Sequence, residues 1–222
     1  QTHKNFEIII IDDENSKQSN KVLKEIKKIN KKILVIKNKK NLGAGFSRNK
    51  AIKIAKGKLI AFCDCDDLWK KNKLKKQIKF MKKFDLDFTY TSYNILNSNG
   101  KITGKIPADR EMDYQKLLKS CDIGLSTVIV KAKILKNKNF QFPKITTKED
   151  YILWLRLSAK GIKMHGLSDT LSYWRRLEKS LSSNPLQKIF DGYKVYRYYL
   201  RFSILRSFFY LIRLSVNSLY KR

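Results

Sequence analysis

The sequence predicts an α/β fold in which a mostly parallel sheet is flanked by helices. Short apolar runs rich in β-branched residues alternate with amphipathic helical patterns, which is the order of strands joined by crossover helices. Acidic residues directly follow two of these runs. This placement favours the same class of fold, because ligands of open parallel sheets bind beyond the carboxyl ends of the strands.

The first strand, helix and strand lie within residues 6–38. The run FEIIII predicts a buried strand, and the polar segment DDENSKQSN after it has the composition of a loop and a helix cap. The apolar residues of segment 19–29 are spaced to share one helical face, and KILVIKN predicts the second strand. A strand, a helix and a strand in this order predict a parallel crossover.

The second unit carries an acidic cluster. The segment NLGAGFSRNKAIKIAKG predicts a glycine loop and an amphipathic helix closed by a glycine, and KLIAFC predicts the third strand. Asp64, Asp66 and Asp67 follow that strand directly. Asp12 and Asp13, which end the first strand, are expected at the same edge of the sheet.

The regular alternation fades beyond this point. We expect a helix over residues 68–83, then the strand DFTYTSYNIL, and then an α+β insertion over residues 101–139. The segment TKEDYILWLRLSAKG predicts a further helix, with Thr147 as its N-cap and Gly161 at its end.

Composition limits the possible partners and compartments. The chain has 49 Lys and Arg against 19 Asp and Glu, a formal net charge of +30. Such an excess favours phosphate-bearing or anionic-membrane partners, although lysines spread along helices are equally typical of a solvated surface. Three cysteines without a C-x-x-C pair predict neither a disulfide framework nor a structural zinc site, so a reducing compartment is expected. No apolar run reaches about 18 residues, so no membrane-spanning helix is predicted.

The acidic cluster favours a divalent cation. Carboxylates this close repel one another, which raises their pKa values unless a cation is present. Mg²⁺ and Mn²⁺ prefer oxygen ligands and take one or two carboxylates together with substrate phosphates, as the D-x-D of Asp64 and Asp66 would offer. The alternative is an exposed acidic turn that caps the next helix, a position that suits Asp67.

Three ordered segments resemble the successive signatures of glycosyltransferase family 2: EIIIIDD, then NLGAGFSRNKAIKIAKGKLIAFCDCDDLW, then KEDYILWLRL. Their order and spacing are similar to the family over about residues 1–184. The segments FTYTSYNIL, IGLSTVIV and SLSSN most resemble bacterial transferases that build surface polysaccharides such as teichuronic acid or lipopolysaccharide. The resemblance implies a GT-A (Rossmann-like) fold and an inverting, metal-dependent transferase of hexosyltransferase type. It also implies a nucleotide-diphosphate sugar donor, a UDP-sugar, and a polysaccharide or lipid-linked acceptor.

The resemblance also implies residue roles. Asp13 would hydrogen-bond the nucleotide base, Asp64 would lie near the ribose and the metal, and Asp66 would hold the Mn²⁺ or Mg²⁺ that bridges the diphosphate. Asp150 would be the general base on the acceptor hydroxyl, as direct displacement at the anomeric carbon requires. At the start of a helix the dipole lowers a carboxylate pKa, so we expect Asp150 to be ionised at neutral pH. The alternative is an ordinary first-turn acid, and Glu149 is adjacent.

Arginines in two segments are further candidates for binding the donor. Arg48 precedes the interior of the second crossover helix and would approach the phosphates, unless it is an exposed cation. Arg175 and Arg176 lie where relatives of this family place a basic residue near the diphosphate. Many relatives have that residue three positions after the aromatic, where this chain has Leu177.

The resemblance divides the chain into parts. Residues 1–184 would form the GT-A domain, with a nucleotide-sugar-binding half over 1–100 and an acceptor-binding half over 101–184, followed by a basic aromatic helical tail over 185–222. The family normally opens with a strand and a P-x-Y-N turn that helps to hold the base. This chain starts with QT, so we expect the fold to lack its first strand.

The tail predicts a contact with lipid. From residue 194 onward it mixes aromatic, aliphatic and basic residues without any acid. Lys194, Arg197 and Arg201 are spaced to form one basic face, and the flanking aromatic residues suit a membrane interface. We therefore expect a cytoplasmic protein held peripherally on the inner face of the plasma membrane. The alternative is a helix packed on the domain with its basic side chains reaching to solvent.

Two other classes of function stay open at this point. A pI near 10 and interleaved Tyr, Phe and Arg would also serve nucleic-acid binding. However, no recognition-helix, RNP or zinc signature is present, and we expect no nucleic-acid partner. The third class is an inactive, truncated transferase homologue, against which the presence of Asp64, Asp66 and Asp150 argues.

Overall fold

The computed structural model describes residues 1–29, 33–177 and 184–220. The strands are β1 (Ile8–Asp12), β2 (Ile33–Lys37), β3 (Leu59–Ala61), β4 (Leu68–Trp69), β5 (Phe88–Leu96), β6 (Ile102–Ile106), β7 (Glu111–Met112), β8 (Ile129–Lys131) and β9 (Met164–Arg175). The α-helices are α1 (Lys17–Ile29), α2 (Ala44–Ile54), α3 (Lys73–Lys83), α4 (Tyr114–Leu117), α5 (Ala132–Leu135), α6 (Glu149–Ala159), α7 (Pro185–Lys194) and α8 (Ile204–Tyr220). A 3₁₀ turn covers Leu125–Thr127, and a π-helical turn over Val195–Tyr199 continues α7.

The strands form two sheets. Strands β1 and β2 pair in parallel, which confirms the predicted first crossover. The larger sheet has the order β3-β8-β5-β9-β4, with β6 added to β5 and β7 added to β9. The predicted α/β class is therefore confirmed.

The strand directions in the larger sheet are mixed rather than mostly parallel. Only β5 and β9 pair in parallel there, and the remaining pairs between described strands are antiparallel. The turn at Gly100, with φ +76°, returns the chain from β5 into β6, and so short a connection makes its two strands antiparallel. Strand β8 then enters between β3 and β5 in the direction opposite to both.

Helices cover both faces of the larger sheet. Because side chains alternate along a strand, Ile129 of β8 packs with Leu74 and Met81 of α3, whereas Val128 and Val130 lie in the main core that contains α6. In that core the ring of Phe88 meets the ring of Trp154 edge to face at 4.9 Å. The sheet thus holds α6, and with it the KED segment, in a fixed position.

One predicted helix begins later than expected. Residues 68–83 were expected to form one helix, but Leu68 and Trp69 pair antiparallel with β9, and α3 begins only at Lys73. The indole N–H of Trp69 donates to the carbonyl of Ser126 at 2.7 Å. This bond and the strand pairing outweigh local helix propensity.

The predicted C-terminal helices are present and pack on the domain. Asn184 caps α7 by accepting from the backbone N–H of Gln187, and Pro185 occupies the first turn. Tyr196 is fully buried, and its hydroxyl lies 3.0 Å from that of Tyr151 in α6. The tail and the domain therefore share one apolar core among the described residues.

Candidate active site

The carboxylate of Asp13 organises the loop between β2 and α2. It accepts hydrogen bonds from the Asn38 side chain at 2.7 Å, from the Leu42 N–H at 2.9 Å and from the Gly43 N–H at 2.7 Å. Gly43 has φ +84°, a conformation that suits a residue without a Cβ atom. Partial burial raises the pKa of Asp13, but these hydrogen bonds outweigh it, and the pKa lies below its usual value. Asp13 thus fixes the start of α2 at the strand edge.

Arg48 connects the two sequence motifs that carry the acids. Its guanidinium bonds Asp64 at 2.7 Å through Nη2 and Glu149 through Nη1. The Arg48 side chain is only 18% exposed, so the exposed-cation alternative is wrong. Burial lowers the pKa of Arg48, but Asp64 and Glu149 more than compensate and raise it. Glu149 had no predicted role of its own, because its partner lies about 100 residues away in sequence.

Helix α2 approaches the start of α6 very closely. A Cβ atom at Gly45 would lie 2.9 Å from the Pro143 carbonyl oxygen and 3.5 Å from Cγ of Glu149. The Asn49 amide donates to the Phe142 carbonyl, and the Phe142 N–H donates back to Asn49, both at 2.9 Å. These contacts fix the position from which Arg48 reaches both carboxylates.

The acidic cluster forms a structured loop after β3. The Asp64 N–H donates to the Ser126 hydroxyl at 2.9 Å, and the Asp67 N–H donates to the Asp64 carbonyl at 3.1 Å. Asp66 is partly exposed, and within the described residues its carboxylate has no hydrogen bond or ion pair. A partly exposed carboxylate without a protein partner, beside Asp64, fits a hard divalent cation. No cluster of three or more His, Cys, Asp or Glu candidate metal ligands occurs in the described part.

Asp67 is a structural residue of this loop. It is buried, and its carboxylate accepts the Arg175 N–H of β9 at 3.0 Å. The alternative of a cap on the next helix is wrong, because β4 and not a helix follows it. Burial raises the pKa of Asp67 to about 6.

Asp150 lies in the first turn of α6, with its carboxylate accepting the Tyr151 N–H at 2.7 Å. Removal from bulk water and the charge of Glu149 raise its pKa to about 7, while Arg48 acts in the opposite direction. The expected lowering by the helix dipole is therefore wrong, because desolvation and like charges outweigh it. A group with a pKa near neutrality is well placed to accept a proton.

The turn before α6 also differs from the prediction. Lys148, with φ +66°, precedes the helix, and Thr147 does not cap it. Thr147 instead donates its N–H and its hydroxyl to Asp191 of α7. The segment before α6 is thus fixed by hydrogen bonds to α7 of the C-terminal tail.

The two arginines at the end of β9 differ. The Arg176 N–H donates to the Leu96 carbonyl at 2.8 Å, and its side chain is exposed. Arg175 has a buried Nε without a hydrogen-bond partner among the described residues. Its backbone adjoins Asp67 of the acidic loop. The SLSSN segment that follows falls mostly outside the described residues, because residues 178–183 are not described.

Tyr93 of β5 is a further candidate that the sequence motifs did not single out. Its ring lies 3.4 Å from the position that a Cβ atom would take at Gly124. Burial, followed by electrostatic interactions with Asp122, Cys121 and Asp150, raises the pKa of its hydroxyl. Groups of the acidic loop and of α6, Asp67 and Asp150, thus both act on the Tyr93 hydroxyl electrostatically. The one feature of the sequence that could have indicated Tyr93 is its position in the FTYTSYNIL strand.

This strand edge, with its acidic loop and a carboxylate on the facing helix, defines a nucleotide-sugar transferase of the GT-A type. The sequence profile described as "Glycosyl transferase family 2" matches residues 1–141, and the chain belongs to that family. The fold and family expectations of the sequence are thereby confirmed.

The similar curated proteins are glycosyltransferases. TuaG of Bacillus subtilis, named for teichuronic acid biosynthesis, is 33% identical over the whole of this chain and 88% of its own length. WfaP of Escherichia coli, a UDP-Glc:α-D-GlcNAc-diphosphoundecaprenol β-1,3-glucosyltransferase, is 39% identical over 85% of this chain and 73% of its own length.

Solved structures have the same fold. S. aureus TarS 1–349 in complex with UDP-GlcNAc superposes with a TM-score of 0.68 at 22% identity, over 93% of this chain and 61% of that one. The mannosyltransferase PcManGT of Pyrobaculum calidifontis, with GDP-Man and Mn²⁺, gives 0.66 at 12% identity over 92% of this chain and 60% of that one. This chain spans about three fifths of the length of these structures.

Proposed function

We propose that this glycosyltransferase moves a hexose from a UDP-sugar to a glycan or lipid-linked acceptor, with inversion at the anomeric carbon and with the help of Mn²⁺ or Mg²⁺. The observation that carries the proposal is the arrangement around Arg48, which ties the acidic loop at Asp64 to the segment that carries Glu149 and Asp150. The two motifs that displacement at the anomeric carbon requires are thereby joined through one side chain.

On the acceptor side Asp150 is the general base. It accepts the proton of the acceptor hydroxyl while that oxygen bonds to the anomeric carbon and the bond to the departing nucleoside diphosphate breaks. A pKa of about 7 leaves a substantial fraction of Asp150 ionised at neutral pH and keeps it basic enough to hold the proton. The attack comes from the face opposite the leaving group, so the configuration inverts.

On the donor side the loop and the strand edge bind the nucleotide. Asp13 orders the loop at Leu42 and Gly43 and contacts the base, and Asp64 lies towards the ribose. The unpartnered carboxylate of Asp66, with Asp64, would hold the divalent cation, which when bound neutralises charge on the diphosphate. Arg48 supports this side through Asp64.

A basic side chain of β9 would add charge for the departing diphosphate. Arg176 is exposed, and Arg175 presents a buried Nε that lacks a partner in the described part of the chain. Buried polar groups are nearly always paired, so the Arg175 Nε is suited to a ligand oxygen. We propose that Arg175 and Arg176 both serve the donor phosphates.

The choice of donor and acceptor follows the relatives. WfaP and a second Escherichia coli relative, WfgD, are named for transfer from UDP-Glc to a diphosphoundecaprenol-linked sugar. An acceptor carried on a lipid places the reaction at a bilayer, and we propose peripheral contact with the inner face of the plasma membrane. None of the helices in the described residues is long and apolar enough to cross a bilayer.

Calorimetric titration tests the donor half of this proposal. UDP is titrated into the chain with and without Mn²⁺, for the wild type, for Asp66→Ala and for the control Asp85→Ala, whose side chain is 95% exposed. We expect binding that depends on Mn²⁺, that is lost in Asp66→Ala and that persists in the control. Equal binding by all three proteins without metal would rule out the assigned role of Asp66.

A further inference from the structure

Helix α8 is apolar on two faces. One face packs on the domain through Tyr210, Leu211 and Leu214, which are at most 9% exposed. The opposite face is also apolar but open to solvent. Its members recur at alternating spacings of four and three residues, so they align along the helix: Leu205, Phe209, Ile212, Val216 and Leu219.

Helix α7 also exposes apolar side chains. Leu186 is 78% exposed, and Ile189 and Phe190 are both more than half exposed. The ring of Phe208 in α8 lies 5.1 Å from that of Tyr193 in α7, which joins the two helices at this side. We call the exposed apolar residues of α7 and α8 the outer tail face. Exposed apolar surface that polar or charged groups border marks an interaction site.

Cations border the outer tail face, and exposed acids are absent from the described tail. The guanidinium of Arg213 lies 5.6 Å from the Phe209 ring, and the ammonium of Lys194 lies 4.1 Å from the Phe190 ring. Asp191 is the one acidic residue among the described residues 184–220. It is fully buried, and its carboxylate accepts a hydrogen bond from the Thr147 hydroxyl. The surface therefore combines apolar side chains with charges that are all positive.

We propose that the outer tail face binds the surface of an anionic lipid bilayer, with α8 lying in the plane of the interface. The apolar side chains enter the boundary between headgroups and acyl chains, and the bordering Arg and Lys side chains meet lipid phosphates. This assignment deepens the proposed function by naming the membrane-binding surface, but lipid binding itself requires no sugar nucleotide.

Charge argues against a second copy of the chain as the partner that covers the outer tail face. A symmetric contact along α8 would bring Arg206 and Arg213 of one copy towards the same residues of the other. The formal net charge of +30 adds repulsion between whole molecules. An anionic bilayer instead gains from every one of these charges.

The test is sedimentation of the whole chain with vesicles of phosphatidylcholine, alone or mixed with phosphatidylglycerol. The variant Leu205→Ser/Phe209→Ser/Ile212→Ser alters side chains that are 84%, 53% and 60% exposed, so the fold is retained. The matched control is Leu34→Ser/Phe84→Ser/Ile102→Ser, whose side chains are 47%, 54% and 54% exposed outside the tail. Thermal unfolding of both variants verifies that the fold is intact.

We expect the wild type and the control to bind the anionic vesicles and the tail variant to bind at least tenfold more weakly. Binding should also fall as salt is raised. Equal binding by all three proteins would overturn the proposal. So would a dimer of the wild type that the tail variant abolishes without a change in vesicle binding. UDP titration of the same proteins separates the two proposals, because the tail variant should keep its affinity for UDP.

Discussion

Asp191 accepts two hydrogen bonds from Thr147, from the backbone N–H at 3.0 Å and from the hydroxyl at 2.9 Å. Asp191 is on α7 and is fully buried, and Thr147 lies three residues before Asp150. The tail therefore holds the segment that presents the candidate base.

Replacing Asp191 by Ala should destabilise the chain and reduce turnover. The change leaves two buried donors of Thr147 unpaired, which costs about 1–3 kcal/mol. Urea unfolding measures the free energy, and steady-state kinetics should show a larger loss in kcat than an increase in KM for the donor. Asp169→Ala, which removes an exposed ion pair with Lys76, is the control and should change stability by less than about 1 kcal/mol. Equal effects of the two substitutions would contradict a positioning role.

Transfer should rise with pH through about 7 and then level off, because Asp150 acts only when ionised. Asp150→Asn should lower kcat by about 10²–10⁴-fold and leave UDP binding intact. The rise is measured as the pH dependence of kcat with a saturating donor. A flat profile between pH 5 and 8, or an active Asp150→Asn enzyme, would exclude Asp150 as the base.

The same substitution should make the fold more stable at neutral pH. The pKa of Asp150 is raised above its unfolded value, so its contribution favours the fold below pH 4 and is lost as the pH rises towards 7. Asn carries no charge and avoids that loss. Denaturant unfolding of both proteins at pH 5 and pH 8 should show the difference growing at the higher pH. A destabilised Asp150→Asn at pH 8 would show that the carboxylate is stabilised by its surroundings.

Arg48→Gln should destabilise the chain and move the pH profile. The substitution leaves Glu149, which is 12% exposed, without its cation, at a cost of about 3 kcal/mol for a largely buried pair. The loss at Asp64 adds less, because that side chain is 40% exposed and solvent screens its charge. It also removes the positive charge that lowers the pKa of Asp150, so the rise in kcat should move to higher pH. Adding Glu149→Gln should recover part of the stability. No recovery in the double variant would mean that the two residues are not coupled.

Tyr93→Phe should impair transfer without a change in stability. The hydroxyl is influenced by the charges of Asp122 and Asp150, and the ring keeps its packing against Gly124. Loss of one substrate hydrogen bond would lower kcat/KM by about tenfold, which corresponds to about 1.4 kcal/mol. The control Tyr198→Phe alters a ring that is 66% exposed in the tail and should leave kcat/KM unchanged. A loss of stability in Tyr93→Phe would instead assign the hydroxyl a structural role.

The parts of the fold with local patterns were predictable from the sequence. Strand β1, helix α1 and strand β2 follow from hydrophobic periodicity, and the glycine loop gave the start of α2. Strand β8 lies within the predicted α+β insertion, but its place between β3 and β5 depends on pairing with segments about 40 and 70 residues away. No local pattern encodes such a partner.

The site shows the same division between local and distant information. The motifs led to the prediction of Asp64, Asp66 and Asp150 as site residues, whereas the contacts of Glu149, Tyr93 and Asp191 were not predicted from the sequence. Their partners become neighbours only in the folded chain. The pKa of Asp150 was expected to be lowered, whereas it is raised. The start of a helix can be predicted from the sequence, but desolvation and the charges of distant residues cannot.

The Arg48 bridge limits how freely this enzyme can be recombined with its relatives. A chimera joined near residue 100 would take Arg48 and Asp64 from one parent and Glu149 from the other. Unless both parents carry the same triad, the hybrid would contain an unmatched charge between its two halves. Exchange of donor or acceptor specificity by swapping halves would then require transplanting these three residues together.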